Sequence, residues 1–88
     1  MVTLEMSLLR NGRARLALAL PQHRKQLRAI KNRDLDDLFA AYARAAKALD
    51  KFRMEVPRRP ELIEEYQTAC ASLEEDAKRL LARLTNQR

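Results

Sequence analysis

Two long segments of this chain repeat apolar residues at alternating intervals of three and four positions. This spacing places the apolar side chains along one stripe of an α-helix, as in helices that pack side by side. We predict helix one over residues 34–56 and helix two over residues 60–85. The stripe of helix one consists of Leu35, Leu38, Tyr42, Ala45, Leu49, Phe52 and Val56. The stripe of helix two consists of Ile63, Tyr66, Cys70, Leu73, Ala77, Leu80 and Leu84.

A proline-rich segment, residues 57–60, separates the two stripes and cannot continue a helix. Folding the chain at this segment brings the stripes together in antiparallel order, with Phe52 near Tyr66 and Val56 opposite Ile63. The predicted fold class is therefore mainly α, built around an antiparallel two-helix coiled-coil hairpin.

The N-terminal segment has a different rhythm, an alternation with a period of two that is typical of half-buried β-strands. It runs through residues 2–8 and again through residues 13–20, and between them stands Asn11-Gly12, a strong signal for a hairpin turn. We predict a β-hairpin over residues 2–20. The alternative is a helical stretch with a break at Gly12, because leucine and alanine are weak strand formers.

A short basic helix is predicted over residues 22–32, because Pro21 suits the first turn of a helix. This helix either runs straight into helix one or breaks near Asn32. Asp34 is the predicted N-cap of helix one, since aspartate is favoured at that position.

The two-helix hairpin is too small to be comfortably stable alone, so we expect it to bury more surface. The covering surface is either the chain's own N-terminal third or a second copy, and we predict a single domain, residues 1–88, in a homodimeric helical bundle. Apolar residues beside the stripes widen both beyond a two-helix contact. The predicted dimer or partner surface consists of Phe39, Ala46, Leu62, Ala69 and Leu81.

Positive charge is concentrated in the first third of the chain. Of the net charge of +6, residues 1–33 carry +7 and residues 34–88 carry −1, and no acidic residue lies between Met6 and Arg33. Such a basic segment predicts a surface that contacts phosphate groups or an acidic partner. The candidate contact residues are Arg10, Arg13, Arg15, Arg24, Lys25, Arg28 and Lys31.

The chain offers little for catalysis or metal binding. Its only histidine, His23, has no cysteine or serine at a spacing that would indicate an activated nucleophile. One histidine and one cysteine far apart in sequence do not form a metal site, and a single glycine excludes a glycine-rich phosphate loop. We therefore predict no enzyme activity, no catalytic residues, no metal and no cofactor.

The single cysteine, Cys70, cannot form an intrachain disulfide, which favours a reducing, cytoplasmic compartment. Its stripe position predicts a small buried hydrophobic side chain. No apolar run is long enough to cross a bilayer, so no membrane association is expected. An alternative for the arginine-rich N-terminal third is an organelle-targeting leader, against which Glu5 and the predicted hairpin argue.

Two functional hypotheses follow. The first is a small regulatory protein that acts on a protein partner through the surface of a dimeric helical hairpin. The second is a nucleic-acid-binding regulator that contacts the phosphate backbone through its basic N-terminal third. No aromatic residue precedes Phe39, so single-stranded bases would find no stacking platform there, and duplex or structured RNA is the expected ligand.

Overall fold

The computed structural model describes residues 4–86 of the 88-residue chain, and their side chains from residue 7 onward. The protein is mainly α, as predicted. The helices are α1 (Leu4–Ala19), α2 (Arg24–Ala29), α3 (Arg33–Met54) and α4 (Pro60–Asn86), and a 3-10 turn over Pro21–His23 joins α1 to α2.

The β-hairpin predicted over residues 2–20 is wrong, because its described part forms the single helix α1. Val2 and Thr3 lie outside the described residues. The apolar positions of this segment are mostly leucine and alanine, which are strong helix formers, so the alternation with a period of two did not indicate strands. The helical alternative was closer to the outcome, although α1 continues through Gly12 without a break.

Gly12 allows a close helix crossing and does not form a turn. It is buried where α1 meets α3, and a methyl group at this position would overlap the backbone carbonyl of Phe39. Only glycine lets two helix backbones approach this closely, because every other residue carries a Cβ. The one glycine of the chain therefore fixes where α1 lies on α3.

Helix α3 is the centre of the molecule, with α1 packed against one side and α4 against another. The wide apolar stripe is explained by this arrangement. Phe39 and Ala46 of α3 and Leu81 of α4 are buried within the chain's own core, so they are not available as the predicted dimer or partner surface. Leu62 and Ala69 remain partly exposed.

Much of the predicted pairing between the two stripes is present in the α3–α4 hairpin. The rings of Phe52 and Tyr66 lie 5.4 Å apart, centroid to centroid. The stripe positions are buried or half-buried in the structure, with one exception, Val56, which is 92% exposed. Helix α3 ends at Met54, two residues earlier than predicted, because a residue that precedes proline disfavours the helical conformation. The predicted contact between Val56 and Ile63 is therefore wrong.

The start of α3 is capped by a different residue from the one predicted. The Asn32 side chain accepts a hydrogen bond of 3.1 Å from the backbone N–H of Leu35, while its own backbone is extended. Asp34 lies in the first turn, where the helix dipole favours a negative charge. The chain thus breaks between α2 and α3, in agreement with one of the two predicted alternatives, and α2 is shorter than the predicted 22–32.

The overall shape is a flat slab of 51 × 32 × 18 Å, because α1 covers only one face of the α3–α4 hairpin. The opposite face, here called the bare face, carries apolar side chains that are only half-buried. The bare face consists of Leu38, Ala41, Ala48, Phe52, Leu62, Tyr66, Ala69 and Leu73.

The close approach at Gly12 gives a direct test of the fold. We expect Gly12→Ala to lower the free energy of unfolding by about 2 kcal/mol, because the added methyl group must push α1 away from α3. The cost of the overlap is larger than the gain of about 1 kcal/mol that alanine has over glycine in an unconstrained helix, so the net change is destabilising. The measurement is urea unfolding followed by circular dichroism.

Ser7→Ala is the matched control, because Ser7 is an exposed position of the same helix. It should change the free energy of unfolding by less than about 0.5 kcal/mol. A Gly12→Ala variant as stable as the wild type would show that α1 does not pack on α3 at this point.

Candidate phosphate-binding cleft

Helices α1 and α2 pack against each other and enclose a cleft of about 430 Å³. Four arginine side chains line this cleft, two from each helix. The lining residues are Arg10, Arg13, Ala14, Ala17, Leu18, Arg24 and Arg28.

The spacing along each helix explains why these side chains meet. Positions three, four and seven apart lie on one side of a helix, and the α1 residues Arg10, Arg13, Ala14 and Ala17 have these intervals. The α2 arginines are four apart and share a side in the same way. The two alanines make a low floor between the long cationic side chains, so the cleft stays open.

Arg13 lines the cleft and also contacts the core. Its guanidinium lies 5.4 Å from the centre of the Phe39 ring, a distance at which the positive charge is attracted to the ring face. Its Nε is buried and has no hydrogen-bond partner in the described part of the chain. A buried donor of this kind is costly to leave unpaired, so placing Arg13 between the core and the cleft has a local cost.

The four arginines are not neutralised by nearby acids. No acidic residue lies between Met6 and Arg33, and none of the four forms an ion pair with a side chain that the structure describes. Cations held close together repel one another, and an incoming anion relieves that repulsion. The cleft therefore has the electrostatic character of an anion-binding site.

The other three predicted contact residues lie outside the cleft. Arg15 is on a different side of α1, where it pairs with Asp50 of α3 at 3.2 Å and donates through Nε to Asn11 Oδ1 at 2.6 Å. Lys25 and Lys31 are exposed and do not line the cleft. Of the seven cations that the sequence nominated, four converge on one site and three do not.

A second, more polar groove lies between α3 and α4 on the face that carries α1. There the hydroxyl of Tyr42 donates a hydrogen bond of 2.7 Å to Glu74 Oε2. Burial and this contact with a carboxylate raise the pKa of Tyr42 well above its ordinary value. Burial also raises the pKa of Cys70, which is buried as predicted and whose thiol therefore stays protonated at neutral pH. The Tyr42 contact was not predicted from the sequence, where Tyr42 was only a stripe residue.

Comparison with known proteins identifies no relative: no family model matches the chain, and no curated protein or solved structure is significantly similar to it. In the part of the chain that the structure describes, no helix combines the length and apolarity needed to span a bilayer. No group of three or more His, Cys, Asp or Glu side chains is placed to hold a metal ion among those same residues.

The contact between Tyr42 and Glu74 predicts a pH-dependent stability. A tyrosine pKa raised in the folded state contributes stability that is fully present below its unfolded pKa of about 10 and is lost as pH rises beyond that value. We expect the free energy of unfolding to fall above about pH 10 in the wild type and to fall less steeply in Tyr42→Phe. Urea titrations at several pH values would measure the difference.

Tyr66→Phe is the matched control, since the Tyr66 hydroxyl makes no hydrogen bond within the described residues. Equal slopes in the wild type and Tyr42→Phe would contradict the assigned hydrogen bond.

Proposed function

We propose that this protein is a non-enzymatic nucleic-acid-binding protein that holds backbone phosphates in the arginine cleft. One observation carries the proposal: four arginines from two helices line a single cleft and have no acidic partner among the described side chains. The expected ligand is a DNA duplex or a folded RNA.

The chemistry of the cleft supports backbone contact more than base recognition. Guanidinium groups present several N–H donors in a planar fork that matches phosphate oxygens. The floor of the cleft is alanine, which offers no hydrogen bonds to base edges. Binding of this kind positions a nucleic acid without identifying its sequence, so a weak sequence preference follows.

A second candidate is a regulatory protein that acts on a protein partner through its helical surface. The half-buried apolar residues of the bare face support it. Phe39, Ala46 and Leu81, which the sequence assigns to a partner surface, are covered by the chain's own helices. The cleft has no comparable internal explanation, so we favour nucleic acid.

The double variant Arg24→Ala/Arg28→Ala tests the cleft without disturbing the core, since both side chains are exposed. Each phosphate contact contributes about one to the slope of log affinity against log salt, so we expect the slope to fall by about two. Fluorescence anisotropy with a labelled duplex and a labelled RNA hairpin, from about 50 to 200 mM salt, measures it.

The control is Lys25→Ala/Lys31→Ala, which removes the same charge from the same segment outside the cleft. We expect it to change the slope by less than half as much. Arg15→Ala is a second control on α1. An equal loss in the lysine variant, or no binding by the wild type at about 50 mM salt, would contradict the proposal.

A further inference from the structure

The bare face of the α3–α4 hairpin is an apolar surface that the arginine cleft does not use. Its large side chains, such as Phe52 and Leu73, are only half-buried, whereas the stripe residues nearer α1 are buried. At one end the face opens into a depression of about 600 Å³ between Leu38 and Leu80. Partly exposed apolar side chains grouped on one face are typical of an interaction site.

The bare face is built for close approach by other helices. Its α3 side carries Ala41 and Ala48, seven residues apart, and its α4 side carries Ala69. Small residues along a helix let a neighbouring helix pack at short distance, while Phe52 and Tyr66 supply volume to fill the partner's gaps. The face therefore suits a pair of helices better than an extended chain.

Charged residues mark the four corners of the bare face, and their signs alternate. On α3 the corner near the helix start is acidic and the corner near its end is basic. On α4 the corner near the helix start is acidic and the corner near its end is basic. In the same order, the corners consist of Asp34 and Asp37; Lys51; Glu61 and Glu65; Arg79 and Arg83.

The remaining charges near the rim do not reverse this pattern. Glu55 pairs with Arg59 at 2.7 Å, and Asp76 pairs with Arg79 at 3.5 Å, which leaves Arg83 as the net positive charge of that corner. Arg58 precedes α4 and offsets one of the two glutamates of the acidic corner there, which stays net negative. Arg33 stands at the start of α3, next to two acidic residues, and that corner stays net negative. Because α3 and α4 are antiparallel, each end of the face has one acidic and one basic edge.

We propose that the bare face binds a second copy of this chain and forms a two-fold symmetric four-helix bundle. A symmetric interface must be complementary to itself. When the alternating corners are turned about a two-fold axis lying in the plane of the face, each acidic corner meets a basic one. This holds for an axis along the helices and for an axis across them, whereas an unrelated partner has no reason to match the pattern.

The proposed dimer is independent of the proposed nucleic-acid binding and extends it. Helices α1 and α2 lie on the opposite face of the hairpin, so pairing leaves the arginine cleft of each copy open. A dimer then presents two clefts to one nucleic acid. Two linked sites bind more tightly than either does alone when the ligand spans both.

Sedimentation equilibrium at concentrations on the order of 1 to 100 µM tests the pairing. We expect a wild-type dimer and a largely monomeric Ala48→Glu variant. Pairing must bury the added carboxylate and remove it from water, which should raise the dissociation constant by about 100-fold or more. Circular dichroism checks that the variant is folded, which is expected because Ala48 is only half-buried.

Ala71→Glu is the matched control, because Ala71 is an exposed position on the other side of α4. It should keep the wild-type dissociation constant. A folded wild type that is monomeric throughout this range, or an Ala48→Glu variant that still dimerises normally, would overturn the proposal.

Charge reversal identifies the symmetry axis. Arg79→Glu/Arg83→Glu should weaken the dimer for either axis. Adding Asp34→Lys/Asp37→Lys restores it if the axis runs along the helices, and adding Glu61→Lys/Glu65→Lys restores it if the axis runs across them. Either rescue supports the proposal. Failure of both rescues in folded variants would overturn the argument from the corners.

Discussion

The crossing of α1 over α3 at Gly12 is the contact on which the rest of this structure depends. Because a methyl group there would overlap the carbonyl of Phe39, only glycine permits the two helix backbones to lie so close. The crossing buries Phe39 completely and joins Leu16 and Leu20 of the N-terminal third to the core of the hairpin. An 88-residue chain with a two-helix seam obtains in this way the additional burial that its size requires.

The same crossing divides the molecule by charge. The hairpin of α3 and α4 is nearly neutral and supplies the packing surface, whereas α1 and α2 hold most of the net positive charge. With one side of α1 packed on α3, the α1 arginines that form no ion pair in the described part of the chain are gathered on another side, beside α2. The arginine cleft is thus a consequence of how α1 is placed, and the bare face is the consequence of where α1 is absent.

How much the sequence could predict depends on the range of the interactions involved. The apolar stripes of helix one and helix two repeat over many turns, so the hairpin and the contact between Phe52 and Tyr66 were predictable from the period alone. The helical structure of α1 was not predictable in this way, because the order of its leucines and alanines fits the period of a β-strand as well as that of a helix. Asn11-Gly12 favoured a turn, and the actual use of Gly12 depends on a helix that begins twenty-one residues later.

The wrong prediction of strands over residues 2–20 also affected the predicted contact surface. A charge count identified all seven cations of the N-terminal third but could not separate them, because a strand and a helix place different residues on one side. Once α1 is known to be helical, intervals of three, four and seven select Arg10 and Arg13 and exclude Arg15. The buried Nε of Arg13 and the contact between Tyr42 and Glu74 depend on tertiary packing and leave no mark in the local sequence.

Arg13 links the stability of the fold to the chemistry of the cleft. Its guanidinium packs on the Phe39 ring at the point where α1 crosses α3, while the side chain lines the cleft beside three other arginines. The crossing therefore holds a cation in place before any ligand arrives, and little side-chain freedom remains to be lost on binding. An anion that enters the cleft relieves repulsion among four positive charges and does so only in the folded state. Binding and folding consequently stabilise each other through the contact that sets the position of α1.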